Sequence, residues 1–327
     1  NTPEQATPIE LDTVVNAAAG GGTDVDYYKF TATTGQRLII TCRAARIDSR
    51  MNATIELFDS PGRRLAHSRN DVRQDPLVDF TPEADGEYIV RVFDFTYGGG
   101  ADYFYRLSVG SKPHIDYIMP PAAPAGSTQT FTLFGRNLPG GEPAGVSIDD
   151  CPLQKLDVEI AMPPAEAVLQ VGENPNPVEA GQDGFSYSLS TPEGDSNAVF
   201  IFFADGPVVV EQEPNNTAAE AQTIAVPGEY AGQFQARGDI DVIEFEAAAG
   251  DVYFLEVFGE RNNLAPTDPF LIVEQVTVDG EGKETVKRLT AQDDTGLNLA
   301  PIAFDTVTDD PVFRFQAPAT GKYRVTL

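Results

Sequence analysis

An internal repeat constrains this chain more than any other feature of its sequence. Residues 22–36, GTDVDYYKFTATTGQ, align with residues 237–251, RGDIDVIEFEAAAGD, at a constant offset of 215. Asp24, Asp26, Phe30 and Gly35 fall on Asp239, Asp241, Phe245 and Gly250. Further on, DFTPEADGEYIVRV (79–92) matches RFQAPATGKYRVTL (314–327) at an offset of 235, so about 20 residues are inserted between the anchors of the second copy. The insertion is placed around VTVDGEGKETVKRL (276–289) and the loop after it. The beginnings correspond too, NTPEQATPI (1–9) with NTAAEAQTI (216–224), the second preceded by EQEPN (211–215). A periodic sequence of this kind reads as a tandem array of similar units. Copy one continues through FDFTYGGGADYFYRLSV (93–109), which has no counterpart after Leu327, so the sequence reads as an excerpt of a longer chain.

Within each copy, short runs of Val, Ile, Phe, Tyr and Thr are separated by Gly, Pro and Asp, which is strand-and-turn punctuation. Between the copies, SKPHIDYIMPPAAPAGSTQTFTLFGRNLPG (111–140) opens a third unit of alternating strand pattern, closed by AVFIFFADGPVVV (198–210). The expectation is all-β: three tandem β-sandwich domains at 1–110, 111–209 and 210–327, the last truncated at its C-terminal end. With 327 residues, of which 41% are hydrophobic, the chain has enough apolar side chains for separate cores.

The net charge of −28 disfavours nucleic acid as a partner, because phosphate affinity rests on Lys and Arg. It favours divalent cations and basic partners. No run approaches the roughly 18 apolar residues of a membrane span. Cys42 and Cys151 have no metal-ligand spacing and are too few for a disulfide framework; Cys42 shares parity with Leu38 and Ile40 and reads as a free core thiol. With two histidines, His67 in a loop and His114 in a linker, and no G-x-S-x-G, H-E-x-x-H or phosphate loop, the sequence does not read as an enzyme. Adjacent acids such as Asp149–Asp150, Asp293–Asp294 and Asp309–Asp310 read as turn residues. Arg43, Arg46, Arg50, Arg63, Arg64, Arg69 and Arg73 offer a docking patch for an acidic neighbour or are scattered loop charges. Tyr97 is the one aromatic retained as a candidate sugar platform.

Period-two geometry sets Asp239 and Asp241 on one side of a strand, roughly 7 Å apart. Two such carboxylates repel unless a hard cation gathers them with further oxygens, and Glu211, Glu213, Asn215 and Asn216 offer those oxygens. A solvated acidic linker beside a turn is the alternative. Asp24 and Asp26 form the equivalent but incomplete set in the first copy. An all-oxygen set suits calcium better than magnesium or zinc.

The combination of EPNNT, GDxD before an aromatic-rich strand, and DGEY or TGKY before the last strands resembles the bacterial pre-peptidase C-terminal domain family. The middle unit, with PHIDYIMPP and FTLFGRNLPG, resembles the immunoglobulin-like IPT/TIG domains. These resemblances imply jelly-roll-like, calcium-stabilised sandwiches flanking an Ig-like one. They imply that the E-x-E-x-N-N segment folds back on the GDxD strand to share an ion with it. They also imply a non-catalytic structural or adhesive part of a secreted or cell-surface bacterial protein, extracellular or periplasmic, or an accessory region of a secreted peptidase. Expected partners are other domains of the same chain, neighbouring copies, and an extracellular protein or polysaccharide.

Overall fold

A computed structural model describes residues 2–69, 75–167, 183–262, 267–294 and 307–327. The protein is all-β, a tandem series of sandwiches with short 3-10 turns as its only helical elements among the described residues. No helix there is long and apolar enough to cross a membrane.

The first unit comprises β1 (Thr7–Pro8), β2 (Thr13–Ala18), β3 (Val25–Ala32), β4 (Leu38–Arg43), β5 (Ala53–Asp59), β6 (Arg64–Arg69), β7 (Leu77–Phe80), β8 (Gly86–Asp94) and β9 (Phe104–Gly110). A sheet of order β1-β3-β8-β5-β6 faces one of order β2-β9-β4-β7. Alternate residues of each strand point inward, so Phe30, Leu38, Ile40, Cys42, Ile55, Val90, Tyr105 and Leu107 share one core. Cys42 is a fully buried free thiol, as its parity predicts, and burial raises its pKa well above the ordinary thiol range. His67, expected in a loop, lies on β6 opposite Glu56, because β5 and β6 form a hairpin around Ser60–Gly62 where the sequence suggests only turn residues.

The second unit comprises β10 (His114–Met119), β11 (Ala122–Pro124), β12 (Thr128–Arg136), β13 (Glu142–Ile148), β14 (Cys151–Ala161), β15 (Gly184–Tyr187), β16 (Ser190–Thr191), β17 (Gly194–Asp195) and β18 (Val199–Ala204). Sheets of order β10-β12-β14-β13 and β11-β18-β15 enclose Ile115, Phe131, Leu133, Ile160 and Ile201. Asp149 and Asp150 have positive φ between the paired ends Ile148 and Cys151, the conformation of a two-residue hairpin turn that Asp tolerates. His114, expected in a linker, is the first residue of β10.

The third unit, joined to the second by the linking strand β19 (Val208–Val210), comprises β20 (Gln222–Thr223), β21 (Glu229–Ala231), β22 (Val242–Ala247), β23 (Val252–Glu256), β24 (Leu271–Val278), β25 (Glu284–Gln292), β26 (Val312–Gln316) and β27 (Gly321–Thr326). Here a sheet of order β20-β22-β27-β24-β25 lies with the pairs β23-β26 and β19-β21. Phe245, Leu271, Val273, Phe315, Tyr323 and Val325 form the core.

Several strand registers and side-chain hydrogen bonds recur at the offsets of the repeat. Phe30 pairs with Tyr88 and Phe245 with Tyr323; Ile39 pairs with Asp79 and Phe254 with Arg314. The Tyr88 hydroxyl donates to the Ala84 carbonyl, and the Tyr323 hydroxyl to that of Ala319. Asp75 accepts from the amides of Ala44, Ala45 and Arg46, while Asp310 accepts from those of Gly259, Glu260 and Arg261. Each carboxylate thereby satisfies the free amides of a 3-10 turn. The long hairpin β24-β25 holds part of the expected insertion, and the loop after it falls largely outside the described residues.

Losing one of these carboxylates leaves three amides without an acceptor, which costs about 2–4 kcal/mol. Asp75→Ala and Asp310→Ala are therefore each expected to lower the unfolding free energy of the transition that includes their unit by that amount, measured by equilibrium unfolding in urea. A change under about 0.5 kcal/mol in either variant contradicts the equivalence.

Candidate metal centre

The site in the third unit begins with backbone pairing. Strand β19 runs parallel to β21, in register Val208 with Glu229 to Val210 with Ala231, and the Glu211 amide extends the ladder to the Ala231 carbonyl. The chain then turns so that the Asn215 carbonyl accepts from the Val242 amide at the start of β22. These two anchors lay the 211–215 segment across the entrance to β22. Oxygens of Glu211, Glu213 and Asp241 come within 4.8 Å of one another.

Asn215 and Asp241 are almost wholly buried, at 0% and 3% exposed. The Asn215 amide donates to Asp241 Oδ1 at 2.8 Å and to the Tyr230 hydroxyl at 3.0 Å, and Glu213 accepts from the Asn215 backbone amide at 2.9 Å. Glu211 receives the Gln233 amide and, at 3.4 Å, the Gln235 side chain. Two buried oxygens have no hydrogen-bond partner, Glu211 Oε2 and Asn215 Oδ1. Gly232 closes one side: a Cβ there would lie 2.9 Å from Glu211 Oε2 and 3.3 Å from Asp241 Oδ2, so a larger residue would press on the oxygens.

Of the six residues expected as ligands, the structure brings together Glu211, Glu213, Asn215 and Asp241. Asp239 and Asn216 lie at the adjoining turn, with oxygens engaged by backbone amides. Asp239 accepts from the Gln235 and Ile240 amides, and Asn216 Oδ1 accepts from the Ile240 amide at 3.0 Å. The sequence carries no mark of this division, because both acids share strand parity and only the turn at 235–240 separates them. Tyr230 and Gly232, which complete the pocket, were not singled out by sequence. Their signal was present only in the aromatic and Gly of EYAGQF following the acidic segment.

In the first unit the equivalent positions behave differently. Asp24 repeats Asp239 by accepting the Gly20 amide at 2.7 Å. Asp26 accepts the Tyr105 hydroxyl at 2.5 Å, and Tyr105 also meets the Tyr28 hydroxyl. Asp24 and Asp26 are not part of any group of three ligating side chains among the described residues. A second acidic group, Asp268, Asp293 and Asp294, is fully solvent-facing.

Burial raises the pKa of both Glu211 and Asp241 above the usual carboxylate range. Neighbouring acids add to the rise: Asp241 and Glu213 act on Glu211, and Asp239 and Glu213 on Asp241. Burial lifts the Tyr230 phenol as well, with Asp241, Glu211 and Glu213 adding to it. An all-oxygen pocket with two buried oxygens free has two ways to lower its electrostatic cost, a shared proton or a hard cation. The donor set fits calcium.

Residues 24–94 match the family model of the bacterial pre-peptidase C-terminal domain. That stretch runs from β3 to β8 and includes the Asp75 turn and the Tyr88 hydroxyl bond. Among solved structures, the chain is similar to the pre-peptidase C-terminal domain of a collagenase from Bacillus anthracis, at 22% identity and TM-score 0.28, over 33% of this chain and 98% of that one. It is also similar to PliG of Aeromonas hydrophila, a periplasmic inhibitor of g-type lysozyme, at 17% identity and TM-score 0.25, over 32% of this chain and 96% of that one. A catalytic domain with two CBM51 domains from Clostridium perfringens ZmpB aligns at 9% identity and TM-score 0.21, over 99% of this chain and 36% of that one. No curated protein sequence matches the chain.

The raised carboxyls set the sign of a pH effect. Because Glu211 and Asp241 bind protons more tightly folded than unfolded, their contribution to cation-free stability is greatest below the ordinary carboxylate pKa. It falls as pH climbs from there through the raised folded values. With chelator present, Glu211→Gln is expected to raise the melting temperature of the third unit at pH 7.5 and to flatten its decline between pH 4 and 7.5. A variant that melts lower at pH 7.5 would show that the ionised carboxylate is already satisfied without a cation.

Proposed function

We propose that this chain is a non-catalytic accessory module of a secreted or cell-surface multidomain bacterial protein, divided into sandwiches at 1–110, 111–209 and 210–327, with calcium stabilising the last. The first and third units are read as two copies of the pre-peptidase C-terminal domain and the middle one as Ig-like. The family match over residues 24–94 supports the accessory role, and the shared hydrogen bonds of Asp75 and Asp310, and of Tyr88 and Tyr323, extend the reading to the third unit. The observation that carries the calcium reading is the pair of buried, unpartnered oxygens of Glu211 and Asn215 beside Asp241.

On this reading Glu211, Glu213, Asn215 and Asp241 hold the ion, with Asp239 and Asn216 shaping the loop behind them. The ion supplies positive charge to a pocket that otherwise repels itself, and it ties the 211–215 segment to the sandwich. Metal affinity is then part of folding free energy. The module acts mechanically, as a spacer or adhesive surface that presents neighbouring domains. A second reading, an accessory region serving a secreted peptidase, is favoured by the family's own description. Sequence flanking this chain would separate the two by the presence of a peptidase motif.

The test is a thermal melt of the chain with calcium and with chelator, alongside Glu213→Ala and Asp241→Ala. At a calcium concentration 100-fold above Kd the gain approaches about 2.7 kcal/mol, so a rise of several degrees is expected, smaller or absent in both variants. Equal melting with calcium and with chelator would remove the metal from this reading and leave the accessory role standing on the family match alone.

A further inference from the structure

The first and second units meet through a charge cluster that neither needs for its own core. Arg37, just before β4, donates through Nε to Asp79 Oδ1 at 2.9 Å and through its terminal nitrogen to Oδ2. The same guanidinium donates to the Pro152 carbonyl of the second unit at 2.9 Å. From the other side, Arg136 at the end of β12 reaches Asp79 Oδ2 at 3.3 Å and grips Asp116 through two nitrogens, each at 3.1 Å. Arg136 is 2% exposed. Next to it, the Asn137 amide donates to the carbonyls of both Arg37 and Ser111, at 3.1 Å each.

The backbone of the second unit is shaped for this contact. Asp116 is the unpaired residue of a bulge between Ile115 and Tyr117, and a bulge re-aims the side chain it carries. Gly135 lets β12 approach β10 where a Cβ would lie 2.1 Å from the His114 carbonyl. Asn137 takes a left-handed φ of 53°, which Asn tolerates better than most residues. His114, enclosed here, is held neutral: desolvation first, then Arg136, Arg43 and Arg46, push its pKa down to about 3. The cluster therefore contains two guanidinium groups and two carboxylates.

The repeat shows that the ions are not a requirement of the sandwich. In the third unit, with strands in the same register, Val252 stands where the first unit has Arg37, and Arg314 stands in place of Asp79. Phe254, in the place of Ile39, is 62% exposed, whereas Ile39 is 6% exposed. Among the described residues, no neighbouring unit covers this face in the third unit.

We infer that Asp79, shared between Arg37 of its own unit and Arg136 of the next, is an ionic latch that makes the first two units move and unfold as one rigid body. A carboxylate desolvated between two guanidinium groups is costly to separate from either one. Surface docking would be screened by salt and would leave the joint free.

The latch is tested on the full chain, in chelator, by calorimetry and by pulsed electron-spin distance measurement. Spin labels are placed at Ser60→Cys and Glu193→Cys in a Cys151→Ala background, the buried Cys42 being unreactive. The wild type is expected to melt its first two units in one transition and to give one narrow distance distribution. Asp79→Asn is expected to split that transition and broaden the distribution. The double variant Arg37→Val with Asp79→Arg, which copies the third unit and so is compatible with a folded sandwich, is expected to do the same. The latch is refuted if the wild type already melts these units independently, or if both variants keep a single transition and a narrow distribution.

Discussion

A carboxylate at the mouth of a sandwich must be met by donors, a proton or a cation, and among the described residues Asp26 and Asp241 have different partners. At the position of Asp26 and Asp241 the strand enters the core, so the side chain is drawn out of water whatever its chemistry. In the first unit a neighbouring strand delivers the Tyr105 hydroxyl to Asp26. In the third, no strand equivalent to β9 pairs with β23 among the described residues, and Asp241 meets the Asn215 amide and two glutamates instead. Asp26 is thus met by a hydroxyl, and Asp241 by an amide within an oxygen-rich pocket. The proposed calcium follows from the buried, unpartnered oxygens of that pocket more than from the count of acids.

Much of this was legible in the sequence because the repeat fixes registers. Once Phe30 is matched to Phe245 and Tyr88 to Tyr323, the cross-strand partners follow, and with them the core parity of Cys42. The acidic segment at 211–216 and the GDxD strand were legible for the same reason. Their division into Glu211, Glu213, Asn215 and Asp241 on one hand and Asn216 and Asp239 on the other was not, because it depends on which oxygens the turn amides of Gln235 and Ile240 claim. Local hydrogen bonding settles that, and strand parity is blind to it.

The latch was beyond sequence reading for a different reason. Its members lie at 37, 79, 116 and 136, and no periodicity links them. The arginine-rich stretch from 43 to 73 drew attention as a docking patch, yet several of its charges are spent within the first unit: Arg63 on Asp59 and Arg64 on Glu56, with Arg69 over the Phe95 ring. Arg43 and Arg46 act on His114 across the junction, and Arg73 lies outside the described residues. The working cation of the first unit, Arg37, stands just ahead of that stretch and was unremarkable in composition.

The two junctions consequently differ in kind. The first is made of side-chain charge, with both signs present and buried, so it needs nothing from solution. The second begins with backbone pairing of β19 and β21 and ends in a pocket with an excess of negative charge. A junction of the first kind has a fixed stiffness over a wide range of salt, since the charges are withdrawn from the screening ions. On the proposed reading, a junction of the second kind is stiffened further when a cation or proton neutralises its pocket. On the proposed reading, placing the charge-paired joint before the ion-dependent one gives an arm whose first two units stay aligned while the third responds to the cation around it, because only the second pocket carries an excess of negative charge.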